Sequence, residues 1–368
     1  TYDVFDEDRY FEPARSNAVV ELKGRRIGIT ICEDVWNDED FWHERRYRPN
    51  PAMDLAAAGA EVLFNLSASP WHLAKERTRH DMLASLARKA GRPVVYCNLV
   101  GGNDELVFDG QSVVFDAEGQ LLAAGKAFAE DFLVVDLAAP RTPISPALLC
   151  DEERLHRALV LGTRDYLHKC GFKSAVLGLS GGIDSSVCAV LAARALGKDR
   201  VRAILMPERD SSPASTDKGK VVCQVAGIKH EINDLTPALE ALGCYRKRDE
   251  AIRSVLPTYR PGDRFKIVVA GDVTGSDRLN YFTVVAELSA DGGRQVSKRL
   301  PLDAYLAIVA ATNLKQRVRK LTEYTLADEL NFGVIGTPNR LEYDQGFFVR
   351  GGDGLADIKP IAHLYKSQ

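Results

Sequence analysis

The segment Leu177-Gly178-Leu179-Ser180-Gly181-Gly182-Ile183-Asp184-Ser185-Ser186 constrains this chain more than any other. It follows the apolar run Ser174–Leu179 and opens a helical stretch, Ser185–Leu196, so strand, tight turn and helix meet at two adjacent glycines. Gly181 and Gly182 let the backbone turn sharply and bring its N–H groups close to a ligand, while the helix beyond adds the positive end of its dipole. A turn of this kind holds phosphate or pyrophosphate. Ser180, Ser185 and Ser186 supply hydroxyl donors. A lone carboxylate among those donors would repel phosphate, so Asp184 reads as a ligand for Mg²⁺ that bridges phosphate oxygens. A bare Ser-Gly-Gly is more often a capped turn. The strand–turn–helix setting favours the phosphate loop instead, and the GxxxxGK[ST] loop of kinases is missing.

Strand Val201–Met206 and helix Ala214–Ala226 come next, which gives a parallel βαβ unit with a right-handed crossover. Between about 244 and 302 that rhythm breaks, and Phe265–Val269, Tyr281–Leu288 and Gln295–Leu300 read as strands of an antiparallel insert. The insert is locally basic, Arg246, Lys247 and Arg248 among its charges, so it reads either as a patch steering phosphates or as a solvated flap. Helical spacing returns at Ala304–Asn331, and Gly333–Gly336 reads as a buried strand. Earlier in the chain, a short apolar run from Arg26 delivers Cys32 to the end of a strand. Strands at Glu61–Leu66, Pro93–Leu99 and Ser112–Phe115 alternate with helices at Asn50–Ala58 and His72–Lys89. The stretch Ala138–Pro146 has three prolines in its last seven positions and reads as a linker. The expected organisation is α/β throughout, with domains at 1–145 and 146–368.

A length of 368 residues suits two domains. The net charge of -3 offers no basic excess to hold nucleic acid, and no run approaches the ~18 apolar residues a membrane helix needs. Seven scattered cysteines without a CxxC pair argue against a disulfide framework and a zinc site, and point to the cytoplasm. The chain starts at Thr1 rather than Met and stops at Gln368 without a finishing element, so both ends are expected to be cut.

The SGGIDSS loop resembles that of the ATP-pyrophosphatase superfamily, which splits ATP to AMP and pyrophosphate to activate a carbonyl group. Met206-Pro207-Glu208-Arg209-Asp210-Ser211-Ser212, Gly336-Thr337-Pro338-Asn339-Arg340-Leu341-Glu342, Gly346-Phe347-Phe348 and Gly352-Asp353-Gly354-Leu355-Ala356-Asp357 together resemble the NAD+ synthetases. That resemblance implies a doubly wound, adenine nucleotide alpha hydrolase-like domain in which Glu342 is a second magnesium ligand and Lys366 neutralises phosphate charge. Met206 and Thr337 would line the ATP site, and Asp353 and Asp357 the nicotinate side. Taken singly, Asp353-Gly354 reads equally as a turn and Lys366 as a solvated charge. Pro338 departs from the family's usual acidic residue, so contacts on the nicotinate side are expected to differ.

Gly28-Ile29-Thr30-Ile31-Cys32-Glu33-Asp34, with Trp36, resembles the nucleophile segment of nitrilase-like amidases. The segments Tyr2–Phe11 and Gly101–Gly110 match the glutaminase domain of glutamine-dependent NAD+ synthetases, which implies a partial α-β-β-α sandwich and a Glu–Lys–Cys triad. Only Cys32 of that triad falls in this sequence; the resemblance puts the lysine and glutamate before residue 1. Tyr2 would line the glutamine pocket and the Glu33 N–H would join the oxyanion hole. Ser67 and Ser69 would touch substrate, although a capping role fits them equally. The implied reaction takes deamido-NAD, ATP and glutamine or ammonia to NAD+, AMP and pyrophosphate, in a homodimer or larger homo-oligomer. Two rivals stay open: another ATP-pyrophosphatase amidotransferase such as GMP synthetase, and a nucleotide-binding regulatory module without turnover.

Overall fold

The computed structural model describes residues 9–14, 16–38, 40–41, 49–139, 142–145, 149–270 and 281–368. The chain forms two compact units, Thr1–Lys169 and Cys170–Gln368.

The first unit runs β1 (Val20–Leu22), β2 (Arg25–Ile31), α1 (Pro51–Ala57), β3 (Val62–Ser67), α2 (Lys75–Ala90), β4 (Val94–Asn98), β5 (Val100–Asn103), β6 (Leu106–Asp109), β7 (Val113–Phe115), β8 (Leu121–Ala124) and α3 (Asp151–Lys169). Six strands form one sheet in the order β1-β2-β3-β4-β7-β8, with β2, β3 and β4 running parallel to one another; β5 and β6 pair separately. Helix α1 starts where Asn50 accepts the Met53 N–H at 3.3 Å and Pro51 presets the first turn. Leu55 of α1, Met82 and Leu83 of α2 and Leu63, Val94 and Tyr96 of the sheet are fully buried together. Each such side chain contributes about 1.5–3 kcal/mol. The other sheet face leaves Ile29, Ile31, Leu66 and Leu99 exposed, and among the described residues no second large sheet covers it. Helix α3, downstream of the proline-rich linker, packs on β5, with the Gly102 N–H donating to Asp165 at 2.8 Å.

The second unit runs β9 (Ala175–Gly178), α4 (Ile183–Leu196), β10 (Val201–Leu205), α5 (Pro213–Ala226), β11 (Lys229–Ile232), α6 (Thr236–Ala241), α7 (Cys244–Val255), β12 (Arg264–Ala270), β13 (Tyr281–Leu288), β14 (Arg294–Arg299), α8 (Leu302–Leu330), β15 (Gly333–Val334) and α9 (Arg340–Asp344). The parallel sheet has the order β11-β10-β9-β15. The chain steps outward from β9 to β11 and returns on the other side of β9, which opens a crevice at the strand C-termini. The insert is a three-stranded antiparallel sheet, β12-β13-β14, as expected. Its opening residues differ from the expectation of a wholly antiparallel segment, because Cys244–Val255 is helix α7. Cys244, Tyr245, Arg248, Asp249 and Ile252 are buried at helical spacing, and the two charges among them hide the stripe from a hydrophobic reading. The sheet packs Val284, Ala286 and Leu288 against Ile252 of α7 and Ile308 of α8.

At the centre of the first unit Arg79 of α2 donates to both Asp109 oxygens, at 2.9 and 2.7 Å, and both side chains are buried. Asp109 also accepts from Asn98 at 3.0 Å. Removing one partner of such a pair strands a buried charge. Arg79→Met should therefore lower the unfolding free energy of this unit in urea by about 3–5 kcal/mol, and Arg79→Met with Asp109→Leu should recover much of that. A single variant losing under ~1 kcal/mol would show that the pair is not what holds α2 to β6.

Candidate functional site

Strand β9 ends at Gly178 and α4 begins at Ile183, so the chain turns within Leu179–Gly182. Gly181 has φ +75°, and a β-carbon there would stand 2.6 Å from the Ser215 carbonyl oxygen and 2.8 Å from Lys218 Cβ. A side chain at Gly178 would collide with the Glu323 carboxylate. The loop is held in shape by its own hydroxyls. Ser185 Oγ accepts from Ser180 N at 3.3 Å and donates to the Gly182 carbonyl at 3.1 Å, Ser186 Oγ donates to the same carbonyl at 2.7 Å, and Ser180 Oγ accepts from Gly182 N at 3.2 Å.

A cavity of about 430 Å³ opens over this turn. Ser180, Gly182, Asp184 and Ser185 line one side, Met206 another, and Thr337, Glu342 and Asp353 a third. Gly181 and Ser186 shape the turn from behind and are not on the wall. Asp357 is not on it either: its two oxygens accept from Tyr324 Oη at 3.1 Å and Val334 N at 2.7 Å, which fastens α8 to β15. Asp353 accepts from Val349 N at 2.8 Å while facing the cavity. Lys366 Nζ lies 3.3 Å from Asp184 Oδ2.

Asp184 and Glu342 sit in the first turns of α4 and α9 and are linked through Asn339. The Asn339 amide donates to Asp184 Oδ1 at 3.1 Å and its N–H to Glu342 Oε2 at 2.9 Å, while its Oδ1 accepts from Glu342 N at 3.3 Å. Among the described residues no three His, Cys, Asp or Glu side chains gather as a metal cage. Two carboxylates on one cavity wall beside a glycine turn are a donor set that fits Mg²⁺ when ligand oxygens and waters complete its octahedron.

Helix α8 completes the wall with Gln316, Arg319, Lys320 and Glu323, which the sequence reading did not single out. Their spacing of three, four and seven residues puts them on one helix face, and that polar stripe was the available signal. Lys320 Nζ bonds Glu323 Oε2 at 2.6 Å in a buried pair. Burial pushes the Glu323 carboxyl up against the opposing pull of Lys320.

In the first unit Cys32 stands at the end of β2 with φ +40°, the first residue of a short 3-10 turn that also holds Glu33 and Asp34. A non-glycine residue at positive φ is strained, and such strain gathers at functional positions. Asn65 Nδ2 holds the Cys32 carbonyl at 3.3 Å, and Ser67 Oγ donates to Asn65 Oδ1 at 2.6 Å. Ser67 thus supports the strand end, and Ser69 is fully buried with its N–H on Asn98 at 3.0 Å. Tyr2 lies outside the described residues. Lys75, at the start of α2, is the cation the sequence reading missed. It is buried, its Nζ donates to the Pro70 carbonyl at 2.7 Å and stands 5.0 Å from the Trp36 ring centre. Burial, then the charge of Arg79, pulls its pKa down to about 8, while Cys32 and Asp109 pull it up.

The NAD synthase family profile matches residues 155–256 and 294–368, and the carbon-nitrogen hydrolase profile residues 3–142. The unmatched interval contains β12 and β13. The chain is 47% identical over 247 residues to the NH(3)-dependent NAD(+) synthetase of Rhizobium rhizogenes, covering 67% of this chain and 69% of that protein. It is 32% identical over 375 residues to the glutamine-dependent NAD(+) synthetase of Xanthomonas campestris, covering 100% of this chain and 56% of the relative. Among solved structures, the glutamine-dependent NAD+ synthetase of Acinetobacter baumannii in complex with ADP superposes with a TM-score of 0.73 at 25% identity, covering 100% of this chain and 58% of that one. The chain therefore spans little more than half the length of the glutamine-dependent relatives it matches throughout.

A charged Lys75 stabilises the Cys32 thiolate below pH about 8, and that support fades above it. Lys75→Met should move the pH midpoint of Cys32 alkylation by iodoacetamide upward. A rise of about one pH unit would slow the reaction at neutral pH roughly tenfold. The reaction is followed on the Cys32 peptide by mass spectrometry. An unmoved midpoint would remove Lys75 from the thiol's environment.

Proposed function

Because the chain belongs to the NAD synthase family and carries a carbon-nitrogen hydrolase segment ahead of its synthase segment, we propose that it serves a glutamine-dependent NAD+ synthetase, amidating deamido-NAD with ATP. One observation carries this reading above the others: Asp184 and Glu342 meet on a single cavity over the SGGIDSS turn, joined by Asn339. By chemistry the chain divides at the linker into 1–145 and 146–368, although α3 packs with the first unit.

The loop N–H groups and the N-terminus of α4 hold the ATP phosphates, with Ser180 and Ser185 fixing the turn. Asp184 and Glu342 would hold Mg²⁺, whose positive charge would offset that of the pyrophosphate leaving group. Lys366 and Arg319 add fixed cations on the protein side. Met206 and Thr337 border the nucleotide, and Asp353 the dinucleotide's nicotinate end. The nicotinate carboxylate attacks the α-phosphorus of ATP, the α–β bridge breaks, and pyrophosphate leaves; ammonia then displaces AMP from the acyl adenylate. Asp357 fastens α8 to β15 behind the wall.

Nitrogen comes from glutamine at Cys32. The thiolate attacks the glutaminyl carbonyl, ammonia leaves, and water releases glutamate from the thioester. Glu33, in the turn after the nucleophile, would offer its N–H to the developing oxyanion. Free ammonia would bypass this step. We place the protein in the cytoplasm as a homo-oligomer; the scattered spacing of its seven cysteines, with no CxxC pair, is the argument for the compartment.

Asp184→Asn and Glu342→Gln in the intact protein should each reduce pyrophosphate release by at least about a hundredfold while leaving glutamine thioester formation at Cys32 in place. Binding of ATP and deamido-NAD with no pyrophosphate release from the wild type would mark a sensor rather than a synthetase. Cys32→Ala should end synthesis from glutamine and spare synthesis from added ammonia. Loss of both activities together would make Cys32 structural.

A further inference from the structure

Three carboxylates and three cations meet behind the nucleotide cavity, and the chemistry above uses none of them. Glu208, Arg209 and Asp210 lie in the segment between β10 and α5, whose flanks Met206, Pro207, Ser211 and Ser212 line the cavity. Tyr245, Arg248 and Asp249 come from α7 and Lys315 from α8. Lys315 Nζ donates to Glu208 Oε1 at 3.1 Å and to Asp210 Oδ2 at 2.7 Å, and Tyr245 Oη donates to Glu208 Oε2 at 2.8 Å. Arg248 bonds Asp210 through Nη1 and Asp249 Oδ1 through Nε and Nη2, the latter two at 3.0 and 2.9 Å. Arg209 closes the ring over the Tyr245 face, 3.8 Å from its centre, and stands 3.6 Å from Asp249 Oδ2.

Only 4% of the Arg248 side chain and 6% of the Glu208 side chain is exposed. Desolvating such charges costs several kcal/mol per ion unless every partner is in place, so the segment has one satisfied position and no graded series of others. The insert stands behind it. The Phe265 ring of β12 lies 5.1 Å from the Arg248 guanidinium carbon, and Tyr259 Oη donates to Asp249 Oδ1 at 3.5 Å. The interval the family profile leaves unmatched thus backs α7 where α7 grips the loop. Arg248 is engaged in these pairs, which removes it from any role as a surface charge steering phosphates.

We propose that Arg248 and Asp210 form a clasp through which α7 and the inserted sheet hold the Met206–Ser212 segment in its nucleotide-binding position. Both are positioning residues, and the insert sets nucleotide affinity rather than the chemical step. The proposal rests on the cavity being an ATP site.

The test is calorimetric titration of the intact protein with the magnesium complex of α,β-methylene-ATP, alongside steady-state kinetics. If breaking the clasp leaves the segment competent about a tenth of the time, Asp210→Asn and Arg248→Met should each raise Kd and the KM for ATP about tenfold. The value of kcat at saturating ATP should hold. The double variant should bind no worse than the weaker single variant, and Arg248→Lys should regain part of the loss. Folded single variants with wild-type Kd and KM overturn the clasp, as do effects that multiply in the double variant or a fall in kcat alone. Should Arg248→Met not fold, the isosteric Asp210→Asn decides the matter. A wild-type protein that does not bind the analogue overturns the functional reading itself; equal binding by wild type and variants overturns only the clasp.

Discussion

The turn after β9 has room for backbone only. At Gly181 the chain passes against α5 in a left-handed conformation, and at Gly178 it passes against Glu323 of α8. Both contacts are steric, and both fix where α4 can begin. With α4 so placed, Asp184 in its first turn reaches Asn339, and through it Glu342 in the first turn of α9. A larger residue at either glycine would lift the loop off its supports and separate the two carboxylates. The cavity is thus a consequence of close packing between elements far apart in sequence.

Charge is handled differently on the two sides of that cavity. Asp184, Glu342 and Arg319 line the inner wall, and Lys366, which is not on that wall, reaches Asp184 Oδ2 at 3.3 Å. Behind the wall, Glu208, Asp210 and Asp249 are matched by Arg209, Arg248 and Lys315, and the Asp210 carboxyl shows the balance. Burial alone would raise its pKa, yet the bonds from Lys315 and Arg248 hold it down at about 2. The first unit repeats the theme, with the Arg79–Asp109 pair fixing α2, whose Lys75 is held in the field of Cys32 and Asp109.

The parallel sheet, the glycine turn between β9 and α4 and the antiparallel insert were legible because short-range periodicity and paired glycines report them directly. Helix α7 was not, since Arg248 and Asp249 occupy core positions that only their ion pairs make tolerable. The same blindness hid Lys75, which reads as one more exposed lysine until the fold buries it. Asp357 reads in sequence as a ligand, an acidic residue near glycines, and its oxygens here accept from Tyr324 Oη and the Val334 N–H, partners 33 and 23 residues away. Asn339 was visible only as a neighbour of Glu342, because its bond to Asp184 spans 155 residues. Polar partnerships at long range carry no local signature, and these sites are built from them.

We propose that the turn holds ATP for cleavage between its α and β phosphates, which activates a carboxylate. Exchange of labelled pyrophosphate into ATP, measured with deamido-NAD and magnesium but without glutamine or ammonia, checks this. Exchange that requires deamido-NAD is the expected result. Release of ADP and phosphate, or exchange indifferent to deamido-NAD, would contradict it.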